Sequence, residues 1–183
     1  MRVPSESMIL RAFLVALFFS GCASAVTRHP VAAAHVALTD VNGAAVGTAQ
    51  LWQEAGGLVH VNATASSLTP GPHGIHFHAV GRCEGGTQFN TAGAHYNPLN
   101  RDHGLTHPTG PHAGDAPNLV AGDDGRGNLS FTTDRVTLTS GSTTLFDADG
   151  SSLVVHAAAD DQATQPAGNS GARVACGVIQ SVR

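Results

Sequence analysis

No lysine occurs anywhere in the chain, and its nine basic residues are arginines set singly along the sequence. A stripe of cations able to neutralise successive phosphates is therefore missing, and the formal net charge is −4, which argues against nucleic acid as a partner. Charged residues make up only 12% of the chain and aromatic residues 5%. The long Ala/Leu/Glu/Lys periodicity that a helical bundle requires is lacking as well. The apolar run at residues 12–19 is too short to cross a bilayer as a helix, which takes about 20 residues. What is plentiful is glycine (22), proline (9), valine and threonine, a composition that favours short strands joined by turns. With 183 residues, 42% of them hydrophobic, there is room for one well-buried domain and a short leader but not for two domains.

The leader reads as a targeting segment. Arg2 and Arg11 precede the apolar run, and either Met1 or Met8 could start it. The run ends in Phe19-Ser20-Gly21-Cys22, which resembles a bacterial lipobox, where small residues admit the signal peptidase and the cysteine thiol receives the lipid. On this reading residues 1–21 are a signal peptide, Cys22 is a lipid anchor to the membrane, residues 22–30 are a tether and residues 31–183 are the functional domain. Cleavage after an alanine a few residues later would make it an ordinary signal peptide. Either route exports the protein to the cell envelope, in the periplasm or on the outer cell surface.

Residues 31–40 alternate from His35 onward, and Val41-Asn42-Gly43 supplies turn chemistry before a second run at 44–54, the pattern of a hairpin. Gly56-Gly57 opens a strand at 58–64, and the Pro70-Gly71-Pro72 corner leads into a short strand at 74–78. From 79 to about 118 alternation disappears in a stretch rich in Gly, Pro, Asn and His. So long a loop within one domain requires a function or a cross-link to organise it. Strand patterns return at 119–121, 128–132, 135–139 and 152–156, and a second loop at 157–172 precedes a terminal strand at 173–182. The spacing predicts an all-β domain, an eight-stranded antiparallel Greek-key sandwich or flattened barrel with two long functional loops.

Eleven histidines are far above ordinary usage, and most of them cluster between His73 and His112. His76 and His78 are two apart on a strand, so they leave the same face while His73, Ile75 and Phe77 leave the other. Imidazole suits copper and zinc, although this pair alone would read as two solvated histidines on an edge strand. A second set follows in His95, His103, His112 and Asp115. Three imidazoles and one carboxylate match a closed tetrahedral zinc site.

Six segments then occur in order: Gly74-Ile75-His76-Phe77-His78, Gly93-Ala94-His95-Tyr96-Asn97-Pro98, Arg101-Asp102-His103-Gly104, Gly110-Pro111-His112-Ala113-Gly114-Asp115, Leu153-Val154-Val155-His156, and a last one running from Gly168 through Arg173 and Cys176 to Ile179. Together they resemble the copper,zinc superoxide dismutase family, in its bacterial exported form. The resemblance implies one copper per subunit on His76, His78, His95 and His156, and one zinc on His95, His103, His112 and Asp115, with His95 bridging both. It implies that Asp160 accepts a hydrogen bond from one ligand of each metal, that Cys83 and Cys176 form a disulfide, and that Arg173 docks an anion beside copper. The implied reaction converts superoxide to oxygen and hydrogen peroxide by alternating Cu(II) and Cu(I), with His95 as proton donor, and protects the cell envelope.

His73 is expected to be buried and hydrogen-bonded, away from the metals. His29, His35, His60 and His107 match no ligand position, and Trp52 reads as a packing or interface residue. The second loop has no charge between residues 162 and 172, so Arg82, Arg101 and Arg126 remain unassigned as steering groups. Two rivals stand beside the enzyme: a metal store on the same fold, which would not need Arg173, and a structural lipoprotein, which would not need the histidines. The sequence leaves the oligomeric state open, a homodimer included.

Overall fold

A computed structural model describes residues 30–182. The signal peptide, Cys22, His29 and nearly all of the tether lie outside the described residues. The first expected hairpin forms from β1 (Ala32–Asp40) and β2 (Ala45–Gln53). Asp40 closes its turn by accepting from the N–H groups of Asn42 and Ala44, each at 2.9 Å, with Gly43 in the left-handed region at φ 84°. Alternation sends Ala34, Val36 and Leu38 of β1 inward, and Ala49 and Leu51 of β2 meet them there.

The remaining strands are β3 (Val59–Ala65), β4 (Gly71–His73), β5 (Ile75–His78), β6 (Leu119–Ala121), β7 (Gly127–Thr133), β8 (Ser152–His156), β9 (Arg173–Val178) and β10 (Gln180–Val182). All pairings between strands are antiparallel, in the order β4-β6-β7-β3-β2-β1-β9-β8-β5, with β10 added to β1. The two ends of that order, β4 and β5, are consecutive in the chain and separated by Gly74 alone. Gly74 donates to Ala158 O and accepts from His156 N, both at 2.8 Å, so the sheet curls round until its edges meet. The result is the expected all-β barrel with a single main core built on Leu38, Leu51, Val61, Ile75, Phe77, Leu119, Leu145 and Leu153.

Ten strands form among the described residues, where eight were expected from nine runs of strand pattern, and the differences lie at the margins. The terminal run divides at Ile179, which turns inward while its N–H donates to Ser151 O at 3.0 Å. The corner before residue 74 pairs as β4. Residues 135–139 form no strand but a single parallel bridge, Thr137 to Thr144. The buried Gln53 replaces the missing ladder there, its Oε1 accepting from Leu138 N at 2.7 Å and from Thr137 Oγ1 at 3.0 Å.

Candidate metal centre

Every residue of β5 is buried, because the strand has core on one face and the long loop on the other. Ile75 and Phe77 enter the core, and His76 and His78 face the opposite way, as their parity requires. The loop reaches them by continuing the sheet. Ala79 N donates to Ala94 O at 2.9 Å, Tyr96 N to Phe77 O at 2.8 Å and Phe77 N to Gly114 O at 3.0 Å, and His95 bridges His78. Gly114 permits this approach, since a Cβ there would lie 2.3 Å from Phe77 O. The loop's hydrogen bonds thus carry His95 beside β5, and His156 arrives from the end of the neighbouring β8.

The structure brings together two four-residue sets, His76, His78, His95 and His156, and His95, His103, His112 and Asp115, each with its donor atoms within 4.8 Å of one another. Both sets are buried, and His95 belongs to each. Its Nδ1 lies 3.1 Å from Asp115 Oδ1, and its Nε2 is buried without a partner on the side of the other set. His76 Nδ1 and His112 Nδ1 are likewise buried with no hydrogen bond. Orphaned imidazole nitrogens facing one another are costly unless a cation collects their lone pairs.

Hydrogen bonds select which nitrogen of each ring is left over. His76 Nε2 donates to Asp160 Oδ2 at 2.7 Å, leaving Nδ1. His78 Nδ1 donates to Gly93 O at 3.0 Å and His156 Nδ1 to Gly171 O at 3.2 Å, leaving two Nε2 atoms 3.4 Å apart. His103 Nε2 donates to Asp160 Oδ1 at 3.0 Å, leaving Nδ1. The Gly93 and Gly171 carbonyls and the Asp160 carboxylate only accept, so the ring nitrogen each of them touches must carry the proton.

Asp115 is divided in the same way. Its Oδ2 accepts from Gly104 N at 2.8 Å and His112 N at 2.9 Å, while its Oδ1 stands 3.1, 3.0 and 3.3 Å from the Nδ1 atoms of His95, His103 and His112. Ligands about 2.0–2.1 Å from a tetrahedral ion stand about 3.3 Å apart, so this set fits zinc. The all-imidazole set suits copper. Burial would raise the Asp115 carboxyl, but the imidazoles of His103, His112 and His95 outweigh it and hold it well below the usual carboxylate range.

Burial also disfavours the charged form of three histidines of the first set, with His95 pushed down to about 4, His156 to about 3 and His78 well below its ordinary value. Nearby imidazoles act in the same direction. His103 goes the other way: burial opposes its charge, but Asp115 and Asp160 prevail and raise it to about 9.

Arg173 opens β9 and pairs with His156 across a register shift. Its Nη1 donates to Phe89 O at 2.7 Å and its Nη2 to Gly93 O at 2.6 Å. Both carbonyls sit on the loop that the Cys83–Cys176 disulfide ties to the same strand, with Cα atoms 5.6 Å apart. Phe89 packs there with Ala92, Val154 and Cys176 in a small apolar cluster of its own. A cleft of about 430 Å³ is lined by His78, His95, His156 and Arg173, with Pro166 and Ala167 of the second loop also on its wall. Arg173 is the only arginine among its lining residues, and no carboxylate lines it.

The other histidines lie elsewhere. His73 is buried, its ring between His156 O at 2.7 Å and Thr69 O at 2.8 Å. His60 stacks on Trp52 with ring centroids 4.9 Å apart and bonds Glu54, His35 is exposed on β1, and His107 bonds Thr109. Sequence reasoning missed the residues that hold the backbone of His103 and Asp160. Gln165 Oε1 accepts from His103 N at 2.7 Å while its Nε2 donates to His103 O at 2.9 Å. Asn118 pairs in the same manner with both main-chain groups of Asp160. A side-chain amide offers one donor and one acceptor and so matches a peptide, but nothing in the local sequence marks which amide does so.

Comparison with known proteins agrees with this geometry. A family model described as copper/zinc superoxide dismutase matches residues 45–179. The chain is 40% identical to a superoxide dismutase-like protein, YojM, of Bacillus subtilis, over 79% of this chain and 74% of that one. It is 38% identical to a copper-zinc superoxide dismutase of Aquifex aeolicus, over 80% of this chain and 86% of that one. A crystal structure of a SOD-like protein from Bacillus subtilis superposes with a TM-score of 0.74 at 38% identity, covering 79% of this chain and 96% of the other.

Proposed function

The chain belongs to the copper/zinc superoxide dismutase family, oxidoreductases that take superoxide as substrate and use copper and zinc, and from that premise we propose which residues do the work and where. Copper would be held by His76, His78, His95 and His156, and zinc by His95, His103, His112 and Asp115. The observation that carries the assignment is the sharing of buried His95 between two complete donor sets. When bound, copper supplies one-electron chemistry by alternating between Cu(II) and Cu(I), so that one superoxide leaves as oxygen and a second, with two protons, as hydrogen peroxide, while zinc supplies charge alone.

The protein's part is positioning and proton control. Arg173 has two of its donors committed to carbonyls, which fixes the guanidinium plane and leaves donors for an anion in the cleft. His95 releases and takes up a proton at Nε2, its ring held in place from the zinc side. Asp160 holds one ring of each set by its proton-bearing nitrogen, keeping the other nitrogen available to the metal. A store for metal would not need an anion dock, so the placement of Arg173 favours turnover.

Export and lipid attachment at Cys22 complete the proposal, supported by the leader's pattern and by the disulfide, which an oxidising compartment preserves. The test is dismutation by copper- and zinc-loaded protein beside Arg173→Ala and His156→Ala. Fast turnover that falls in the first variant and collapses in the second is expected, whereas stoichiometric metal binding without turnover would leave a store. Membrane fractionation of Cys22→Ser should move the protein to the soluble fraction, and unchanged membrane association would refute the anchor.

A further inference from the structure

Arg135 takes no part in the chemistry above, yet it is half-buried against the metal centre. Its Nη2 donates to the main-chain oxygen of Asp115 at 2.7 Å, and its Nε is buried with no hydrogen-bond partner. Among the described residues no carboxylate lies within ion-pair distance of it. This is a cation short of compensating charge.

A separate cavity of about 270 Å³ lies beside it, and Arg101, Arg135, Asp134 and Thr143 are among its lining. Two arginines there face one carboxylate, and the Thr143 hydroxyl adds a possible donor. The cavity shares no residue with the copper cleft. Pro111 and Ala113 line this one whereas His112, between them, lines the other, so the two openings lie on opposite sides of the same short segment. The loaded metal centre, on the assignment above, sharpens the imbalance. Two divalent cations outweigh the Asp115 carboxylate and a doubly deprotonated His95, leaving a net positive charge next to Arg135.

We propose that Arg101 and Arg135 form a binding site for a small oxyanion of the phosphate class, on the far side of residues 111–113 from the copper cleft. A guanidinium presents planar paired donors suited to such an anion, and a partly buried one binds it more strongly than an exposed lysine would. The occupied site would also steady Arg135 on the Asp115 carbonyl, and through it the zinc loop.

The experiment titrates inorganic phosphate calorimetrically, at constant ionic strength, into metal-loaded protein carrying Arg173→Gln, so that the copper cleft lacks its own guanidinium. One phosphate per chain is expected, weakened about tenfold or more by Arg101→Gln and removed by Arg135→Gln. Absence of saturable binding, or equal affinity in the Arg101→Gln protein, would overturn the proposal. Arg101 is exposed, so its variant decides the matter even if Arg135→Gln does not fold. Phosphate binding that depends on Arg101, in a chain whose parent fails to dismute superoxide, would support this site while sinking the function proposed above.

Discussion

Asp160 is the residue on which the two halves of the centre depend together, since one carboxylate oxygen holds His76 and the other His103. Both contacts are fully buried, so water cannot substitute for either. Asp160→Asn keeps the size but replaces one acceptor by a donor, which meets the N–H of a ring and forces it to turn or change tautomer. Loss of such an outer partner costs about 10–100-fold in metal affinity. Competition with a chromogenic chelator should show that loss for zinc, and wild-type zinc affinity in the variant would contradict the role. Gly168 belongs to the same arrangement. A Cβ there would lie 1.8 Å from Asp160 Oδ1, and its φ of 64° is in the left-handed region, so any side chain pushes the carboxylate out of place.

At the scale of elements, the two loops are held to each other by neutral amides as well as by the Asp160–His103 contact. Gln165 grips His103 by both main-chain groups, and Gln162 accepts from Leu105 N at 3.1 Å and donates to Ala116 O at 3.2 Å. Pro166, next to Gln165, lines the cleft beside Arg173, so the wall of that cleft is fastened to the backbone of His103, the residue proposed to bind zinc. Gln165→Ala deletes the two hydrogen bonds to His103, each with a net value of about 1 kcal/mol at most for a residue this exposed. Zinc release into excess chelator should accelerate by about thirtyfold at most while the barrel's far-UV spectrum stays the same. Gln165→Glu, which keeps the acceptor for His103 N and loses the donor for His103 O, should fall between. Release at the wild-type rate in both variants would show the clamp to be incidental.

For the whole molecule, metal and proton compete for the same buried nitrogens. In the unfolded chain a histidine titrates near about 6.5. Folding without metal lowers His95 to about 4 and His156 to about 3, so between 6.5 and those values the unfolded chain binds protons that the folded one refuses, and stability falls as the solution is acidified. His103, raised to about 9, has the opposite sign: its contribution is complete below 6.5 and is lost as pH rises through 9. The metal-free protein is therefore expected to be most stable near neutrality, with its melting temperature falling on both sides and zinc raising it least at acid pH, where protons compete for the same nitrogens. A metal-free melting temperature that climbs steadily toward pH 4.5 would contradict this balance. Much of this molecule was legible from its amino acids. Alternation at residues 31–64 carried the first three strands because burial of one face imposes a period of two, and the parity of His76 and His78 placed them together without any knowledge of the fold. The order of the six segments carried the ligand sets, Asp160 and the cysteine pair, through resemblance and not through local physics. Residues 135–139, whose β pattern is served by Gln53 and not by a ladder, could not be read that way. Nor could the division at Ile179, the grip of Gln165 on His103, or the burial of Arg135 beside a second cavity. These depend on which main-chain groups remain unpaired once the barrel has closed at Gly74 and the long loop has been laid along β5. Local sequence determines which face a side chain takes; only the closed tertiary structure decides which distant amide, carboxylate or guanidinium is left near enough to satisfy it.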